Sequence, residues 1–390
     1  MWPHTDPQPA TVCLRVSMLF NGVYRGRRVL ITGHTGFKGS WMATWLLELG
    51  ADVAGFSVDV PTSPANFDAS GLRDKVRHYE GDIRDRGAFL AAAREFKPSC
   101  IFHLAAQSLV RRSYTSPVET FETNAIGTLN VLEALRHVPG IEAAVLITSD
   151  KCYRNRDWVW GYRETDTLGG EDPYSSSKGC AELIYHSYYC SFFGRTAGLP
   201  ATATARAGNV IGGGDWTPDA IVPDCVRSWA SGDPVVLRNP HAVRSWLQVL
   251  EVLSGYMWLG ANLLSGASGA NGESFNFGPP SEATYSVERL VSEFGKHWAK
   301  ASWNVRPMHD APEAQLLKLS CEKALAQLSW RTVLSFEETL ALTAEWYREY
   351  LSGSADMFEF SLDQIRRYQR KASQSGLPWA RSPEVAWQAV

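Results

Sequence analysis

The sequence predicts an α/β fold, a doubly wound parallel sheet with a second, smaller region packed directly against it. Two observations carry this. The first two thirds of the chain alternate short apolar, β-branched runs with longer segments of helical period, the pattern of parallel strands joined by crossover helices. From about Gly208 the alternation loosens into loops rich in Gly, Pro and Trp, such as GNVIGGGDWTPD, set between helical stretches. With 390 residues, 45% of them hydrophobic, the chain can build one large domain or two unequal ones sharing a core.

The pattern places strands near residues 29–32, 53–56, 76–79, 100–104, 144–148 and 202–206, and helices over 38–49, 85–96, 117–137 and 173–193. Further helices fall near 220–231, 249–264 and 286–300, and 335–351 is the last strong one. Residues 1–24 fit no element and read as a disordered N-terminal extension, with Met18 as an alternative start. Residues 25–207 then form the first domain. Residues 208–390 form mainly the substrate-binding region, with some segments returning to the first domain. No repeat or long linker separates the two, and a cleft between them is the natural place for a substrate.

A formal net charge of -3 gives no broad attraction to nucleic acid or an anionic membrane. The seven cysteines are scattered and contain no C-x-x-C pair, which argues against a disulfide framework or a metal site and for a reducing cytoplasm. No apolar run approaches a membrane span, and the first residues do not read as a signal peptide.

The strand VLIT runs into Gly33-His34-Thr35-Gly36-Phe37-Lys38-Gly39, and a helix follows at once. Glycines at this spacing allow a tight turn, close approach of backbone to a pyrophosphate and close helix packing, while the helix N-terminus offers N–H donors. Asp59 lies about 20 residues further on, where an acid can accept hydrogen bonds from ribose hydroxyls, which favours NAD over NADP. It fits equally an exposed acid in a Pro/Ser loop. Asp82 and Ile83 suit the adenine edge, and Leu104, Ala105, Ala106 and Gln107 lie beside the cofactor.

Tyr174 and Lys178 stand four apart on a predicted helix and so share one face. An ammonium near a phenol lowers its pKa and makes it a base for a sugar hydroxyl. At the end of the fifth strand, ITSDKCY offers Ser149, Asp150 and Lys151 in succession. An Asp-Lys dipeptide alone reads as a solvated ion pair; beside Ser149 and the Tyr174/Lys178 pair it reads as catalytic. His103 ends an apolar strand and reads as a satisfied core residue.

The stretches GHTGFKGSW, HLAAQSLVRRSY, TSDKCY, GYRETDTLGGEDPYSSSKGCAE, GNVIGGGDW and LRNPHAVRSW closely resemble CDP-glucose 4,6-dehydratases, members of the extended short-chain dehydrogenase/reductase family. The resemblance covers most of residues 27–350. It implies a Rossmann domain with a smaller C-terminal nucleotide-sugar domain, an NAD cofactor, CDP-glucose as substrate, and a homodimer built through helices of the first domain. It also implies a lyase that supplies deoxysugars for surface polysaccharide, such as the O-antigen of lipopolysaccharide.

By the same resemblance, Tyr174 takes the proton from the hydroxyl on sugar carbon 4, with Ser149, or else Thr148, as its hydroxyl partner. Asp150 protonates the leaving hydroxyl on carbon 6, and Lys151 stands where the carbon 5 base belongs; related dTDP-glucose dehydratases usually carry glutamate there. A lysine base acts only when neutral, and Asp150 only when protonated. Asn209, Arg238 and Arg244 resemble residues that bind the nucleotide diphosphate, a task suited to the planar fork of arginine. Arg111 and Arg112 either line the same cleft or form a solvated helix end. Trp158 and Trp160 either close over the substrate or pack in the core.

One departure stands out. Where the family commonly reads R-P-W-Q-H, this chain has Arg244-Ser245-Trp246-Leu247-Gln248. This leaves open another nucleotide sugar as substrate for a dehydratase or epimerase. A catalytically silent NAD-binding protein is the reading from outside the enzymes, and it gives no reason for Ser149, Tyr174 and Lys178 to stand together.

Overall fold

A computed structural model describes residues 19–267, 269–280, 282–306 and 316–381. Among these, seven parallel strands form the central sheet: β1 (Arg28–Thr32), β2 (Asp52–Ser57), β3 (Arg77–Glu80), β4 (Cys100–His103), β5 (Ala143–Ile147), β6 (Ala201–Ala207) and, after four short strands described below, β11 (Ser274–Phe277). The order across the sheet is β11-β6-β5-β4-β1-β2-β3. It reverses direction at β1/β4, and in such sheets the crevice at the carboxyl ends of the strands takes the ligand.

The strands alternate between two cores, as a period of two dictates. Val29 and Ile31 of β1, with Val145 and Ile147 of β5, pack into one core. Leu30, Ala144 and Leu146 enter the other. On the second face lie helices α2 (Arg86–Phe96), α3 (Gly127–His137) and α4 (Pro173–Tyr188). On the first face lie α1 (Phe37–Glu48) and, from the second half of the chain, α6 (Val249–Leu264) and α8 (Met357–Gln374).

The second region holds the four short strands β7 (Asn209–Ile211), β8 (Val235–Leu237), β9 (Val243–Arg244) and β10 (Trp246–Gln248), with α5 (Ile221–Ser231) and α7 (Phe336–Ser352). β7 pairs in parallel with β10, which places Asn209 opposite Trp246. Capping is local and readable. Ser335 and Glu338 close a reciprocal capping box at the start of α7.

Several expectations are corrected. Residues 19–24 are no loose extension: Phe20 and Tyr24 are buried, and Phe20 stacks on Trp379 with ring centroids 5.0 Å apart. Residues 1–18, including Met18, lie outside the described residues. By contrast, the helix expected over 117–137 is present as one run, with a π turn, Glu122–Ile126, between Pro117–Phe121 and α3. The helix expected over 173–193 is likewise present, its end a π turn, Tyr189–Phe193, whereas the one over 286–300 is shorter, Val287–Gly295.

Among the elements the sequence reading did not place, besides short ones such as β7–β10, two complete the fold. β11 is only four residues long, and its pairing with β6 is a contact across some 70 residues of chain. Helix α8 follows what looked like the last strong helix. It is polar apart from a narrow buried stripe that includes Met357, Leu362, Ile365, Tyr368 and Ala372. Arg366 from its outer side reaches Glu48 of α1 at 2.8 and 3.0 Å.

Candidate active site

The apolar run of β5 stops at Ile147, and the chain leaves the sheet through a single 3-10 turn, Asp150–Cys152. Ser149 caps that turn, its Oγ accepting the Lys151 N–H at 3.2 Å and donating to Asp150 Oδ1 at 3.0 Å. Ser149 and Asp150 are buried and Lys151 is half-buried.

Tyr174 and Lys178 project from the first turns of α4, whose start Asp172 caps by accepting from Ser175 N at 2.9 Å. Both are buried. Burial pushes the Tyr174 phenol up; a hydrogen bond with Ser149 pulls it back part of the way, and the Asp150 charge raises it. Burial also pushes the Lys178 ammonium down to about 8, assisted by the positive charge of Lys38 and opposed by Glu182. Lys38 itself is pushed down to about 8 by burial; Asp150 and Asp215 oppose this and Lys151 adds to it. The residues that the sequence singled out therefore share one electrostatic neighbourhood. Lys38 joins it from the glycine loop, and Asp215, given no role in the sequence reading although it lies in GNVIGGGDW, joins from the second region.

Thr148 does not compete with Ser149 for the phenol. Its hydroxyl donates to the buried Glu182 carboxylate, which points it away from the turn.

The glycine loop is built for close approach. Gly33 has φ +75°, and a Cβ there would meet Ala105 N at 2.8 Å. A Cβ on Gly39 would meet the Gly33 carbonyl oxygen at 2.2 Å. Thr35 Oγ1 donates to the Asp59 carbonyl at 2.6 Å, and this fixes the end of β2 against the loop with the Asp59 side chain exposed. Asp82 is held by Arg84, Nη2 to Oδ2 at 2.6 Å and Nε to Oδ1 at 3.0 Å, which keeps its carboxyl below the usual range. The Ile83 carbonyl accepts from Asn130 Nδ2 at 2.9 Å. Ala105 N donates to Thr32 Oγ1 at 3.1 Å.

Asn124 was missed by sequence reasoning. It sits in the π turn before α3, a local widening of the helix that recurs at functional sites. Its Oδ1 accepts from Gln107 N at 2.9 Å and its Nδ2 reaches both the Gln107 carbonyl and Ser177 Oγ at 2.9 Å. The only signal was an Asn inside an apolar helical segment, and sequence spacing cannot show what such a residue bonds.

On the substrate side, Gly208 lies against the acid: a Cβ there would stand 3.2 Å from Asp150 Oδ2. Asn209 follows it on β7. Arg238 and Arg111 converge on Asp219, at 2.7 and 3.6 Å. Arg244 Nη1 donates to the Val243 carbonyl at 2.9 Å. The structure separates the Arg111–Arg112 pair, since Arg112 turns to Glu119 at 2.9 Å on the surface. Trp158 packs beside Tyr162 with centroids 5.2 Å apart, whereas Trp160 is 69% exposed. His103 is satisfied by Thr32 Oγ1 at 2.7 Å and Thr128 Oγ1 at 3.2 Å. Leu247 and Gln248 face inward; the Gln248 side chain caps α6 by accepting from Leu250 N.

This arrangement has counterparts. The family model for GDP-mannose 4,6 dehydratase matches residues 30–343. The chain belongs to that family. It is thereby a member of the extended short-chain dehydrogenase/reductases. Within the family it is 45% identical over 359 residues to the CDP-glucose 4,6-dehydratase of Salmonella typhimurium, covering 90% of this chain and 98% of that one. A UDP-glucose 4-epimerase of Thermus thermophilus, solved with NAD, is 27% identical with a TM-score of 0.70 over 82% of this chain and 99% of its own. A dTDP-glucose 4,6-dehydratase of Bacillus anthracis in complex with NAD, 23% identical, shares the fold with a TM-score of 0.69 over 83% of this chain and 97% of its own.

The cofactor loop of this family member fits NAD. Gly33 and Gly39 leave a cradle that any Cβ would fill, and the free Asp59 carboxylate stands at the end of β2.

Proposed function

We propose that the protein is an NAD-dependent lyase that converts CDP-D-glucose to CDP-4-keto-6-deoxy-D-glucose and water. The observation that carries this reading is the buried Ser149–Asp150–Lys151 turn, Ser149 bonded to Asp150 at 3.0 Å, set beside Tyr174 and Lys178. An epimerase needs a base for one hydroxyl. The added acid and amine suit an elimination, and the 45% identity to a CDP-glucose 4,6-dehydratase favours the same substrate.

NAD, when bound, accepts a hydride from sugar carbon 4 and returns one to carbon 6, with no net consumption. Gly33, Thr35, Gly36, Phe37, Lys38 and Gly39 hold its pyrophosphate, Asp59 its ribose, Asp82 and Ile83 its adenine, and Leu104 to Gln107 the inner half. Tyr174 takes the proton from the hydroxyl on carbon 4, helped by Ser149 and by the Lys178 ammonium. The ketone formed at carbon 4 acidifies carbon 5. Lys151 removes the carbon 5 proton, and Asp150 donates a proton to the hydroxyl leaving carbon 6 as water; when hydride returns to carbon 6, the Lys151 ammonium gives a proton back to carbon 5, and the proton taken up by Tyr174 is passed through solvent to restore Asp150.

Arg238, Arg244, Arg111 and Asn209 receive the CDP diphosphate; Asp219 holds two of these arginines ready. Exposed Tyr114, Val118, Ile126 and Leu183 lie on helical segments of the first domain and support pairing of two copies through that face. A cytoplasmic place and a role in supplying deoxysugars for surface polysaccharide follow from the same reading.

Mass spectrometry of CDP-glucose after incubation with protein and NAD tests it. Loss of one water supports it, and an unchanged sugar in the presence of bound NAD refutes it. A panel of other nucleotide sugars in the same assay decides the substrate.

A further inference from the structure

The reacting groups come from two elements, the turn after β5 and the first turns of α4, and something must hold one against the other. We propose that Glu182 is a positioning residue for the reaction, locking the Ser149–Lys151 turn to the helix that carries Tyr174 and Lys178. The proposal rests on the roles given above to those side chains.

Tyr174, Lys178 and Glu182 are spaced by four along α4 and so lie on one face. The Glu182 side chain is 1% exposed and its carboxylate is fully engaged. Oε1 accepts from Thr148 Oγ1 and from Arg206 Nε at 2.8 Å. Oε2 accepts from Arg206 Nη2 at 2.7 Å and from Thr204 Oγ1 at 2.9 Å. A buried carboxylate so paired keeps its charge, and its position is over-determined.

The partners make this more than a structural ion pair. Thr148 is the residue just before Ser149. Arg206 uses its remaining nitrogen, Nη1, to donate to Tyr153 Oη at 2.7 Å and to the Glu164 carbonyl at 3.1 Å. Tyr153 is the residue just after the turn Asp150–Cys152, and its hydroxyl donates on to Asn276 Oδ1 of β11 at 2.8 Å. One buried Glu–Arg pair therefore grips both flanks of the catalytic turn, Thr148 through the carboxylate and Tyr153 through the guanidinium. The same pair fixes α4 to β6. Oxidation at carbon 4 and elimination across carbons 5 and 6 act on one bound sugar, so the groups on the helix and on the turn must keep a common register.

The test uses Thr148→Val, Thr148→Ser and Tyr153→Phe, which remove or keep single hydroxyls and leave the Glu182–Arg206 pair intact. Glu182→Gln is less suitable, because it strands a buried guanidinium and can prevent folding. In steady-state dehydration of CDP-glucose, Thr148→Val should lower kcat at least about tenfold with KM within about twofold, since a misplacement near 1 Å already costs about 100-fold. Thr148→Ser should recover most of that loss, Tyr153→Phe should also lower kcat, and urea unfolding midpoints should stay near wild type. Wild-type kcat in both Thr148→Val and Tyr153→Phe overturns the positioning role. So does a loss that tracks the unfolding midpoint and is not rescued by serine. A wild-type enzyme inactive on CDP-glucose instead overturns the functional reading and takes this role with it.

Discussion

Asn124 donates from Nδ2 to Ser177 Oγ at 2.9 Å, joining the π turn before α3 to the helix that carries Tyr174 and Lys178. The same amide holds the main chain of Gln107 at both its N–H and its carbonyl. Asn124→Ala leaves the Gln107 N–H and carbonyl without this partner, at a cost of about 1–3 kcal/mol for each. Weaker NAD binding by calorimetry and a lower kcat are both expected; unaltered NAD affinity would show that the loop after β4 is held by other bonds.

Lys151→Ala and Asp150→Asn separate the two halves of the reaction. Each should bind NAD and form reduced cofactor on mixing with CDP-glucose, because the Tyr174 and Lys178 side of the site is intact. Neither should release water at more than a small fraction of the wild-type rate, and removing one such acid or base costs about 100-fold or more. Rapid-mixing absorbance for the reduced cofactor, paired with mass spectrometry of the sugar, reads the two steps. Wild-type turnover in Lys151→Ala refutes its role as base.

At Gly33 a side chain is excluded twice, by φ +75° and by Ala105 N, which a Cβ would approach to 2.8 Å. Gly33→Ala should therefore be destabilised by more than the about 1 kcal/mol typical of a glycine at positive φ, and should lose NAD binding. Gly87→Ala in α2 is the control, since it lies outside the loop and its added Cβ meets only the Asp85 carboxylate oxygen, at 3.3 Å. Thermal unfolding with and without NAD distinguishes the pair; equal NAD-dependent shifts in both variants would contradict the cradle.

Arg238 and Arg111 meet on Asp219, where Arg238 keeps the carboxyl below its usual range. Arg238→Ala should raise KM for CDP-glucose by about 10- to 100-fold, the worth of one charge-assisted hydrogen bond, with kcat little changed. A fall in kcat at constant KM would instead place Arg238 in the chemical step.

His34 and His103 are both held down to about 3, each chiefly by burial, His34 further by His78 and His103 by Lys178. The unfolded chain protonates the same rings near about pH 6.5. Between these values the unfolded state binds more protons, so stability rises with pH and is lost as pH falls from about 6.5 toward about 3. Urea unfolding across this window should show that loss, with a shallower slope in His103→Gln. An unchanged slope would mean that His103 takes up a proton in the folded protein.

Much of this was legible in the sequence. Short apolar, β-branched runs set between segments of helical period gave six of the strands. The glycine loop was legible because tight turns and helix starts are local. Tyr174 and Lys178 could be paired from a spacing of four alone. Asn124, Asp215 and Glu182 were not legible as members of the site, since each is a common polar residue whose meaning lies in partners 17 to 177 positions away.

Taken alone, the sequence determined the parallel sheet and the strand–glycine turn–helix start, and it marked Ser149, Asp150 and Lys151 at the end of β5, because these follow from periodicity and from chemistry confined to a few neighbouring residues. Only the tertiary structure decided that residues 19–24 and α8 complete the core, and that β11 closes the sheet edge. It also decided between Thr148 and Ser149: one hydroxyl is committed to a buried carboxylate, and the other is left to face Tyr174. The physical reason is the same in each case. Burial and hydrogen bonding between distant segments are set by three-dimensional packing, and no spacing along the chain encodes which donor meets which acceptor.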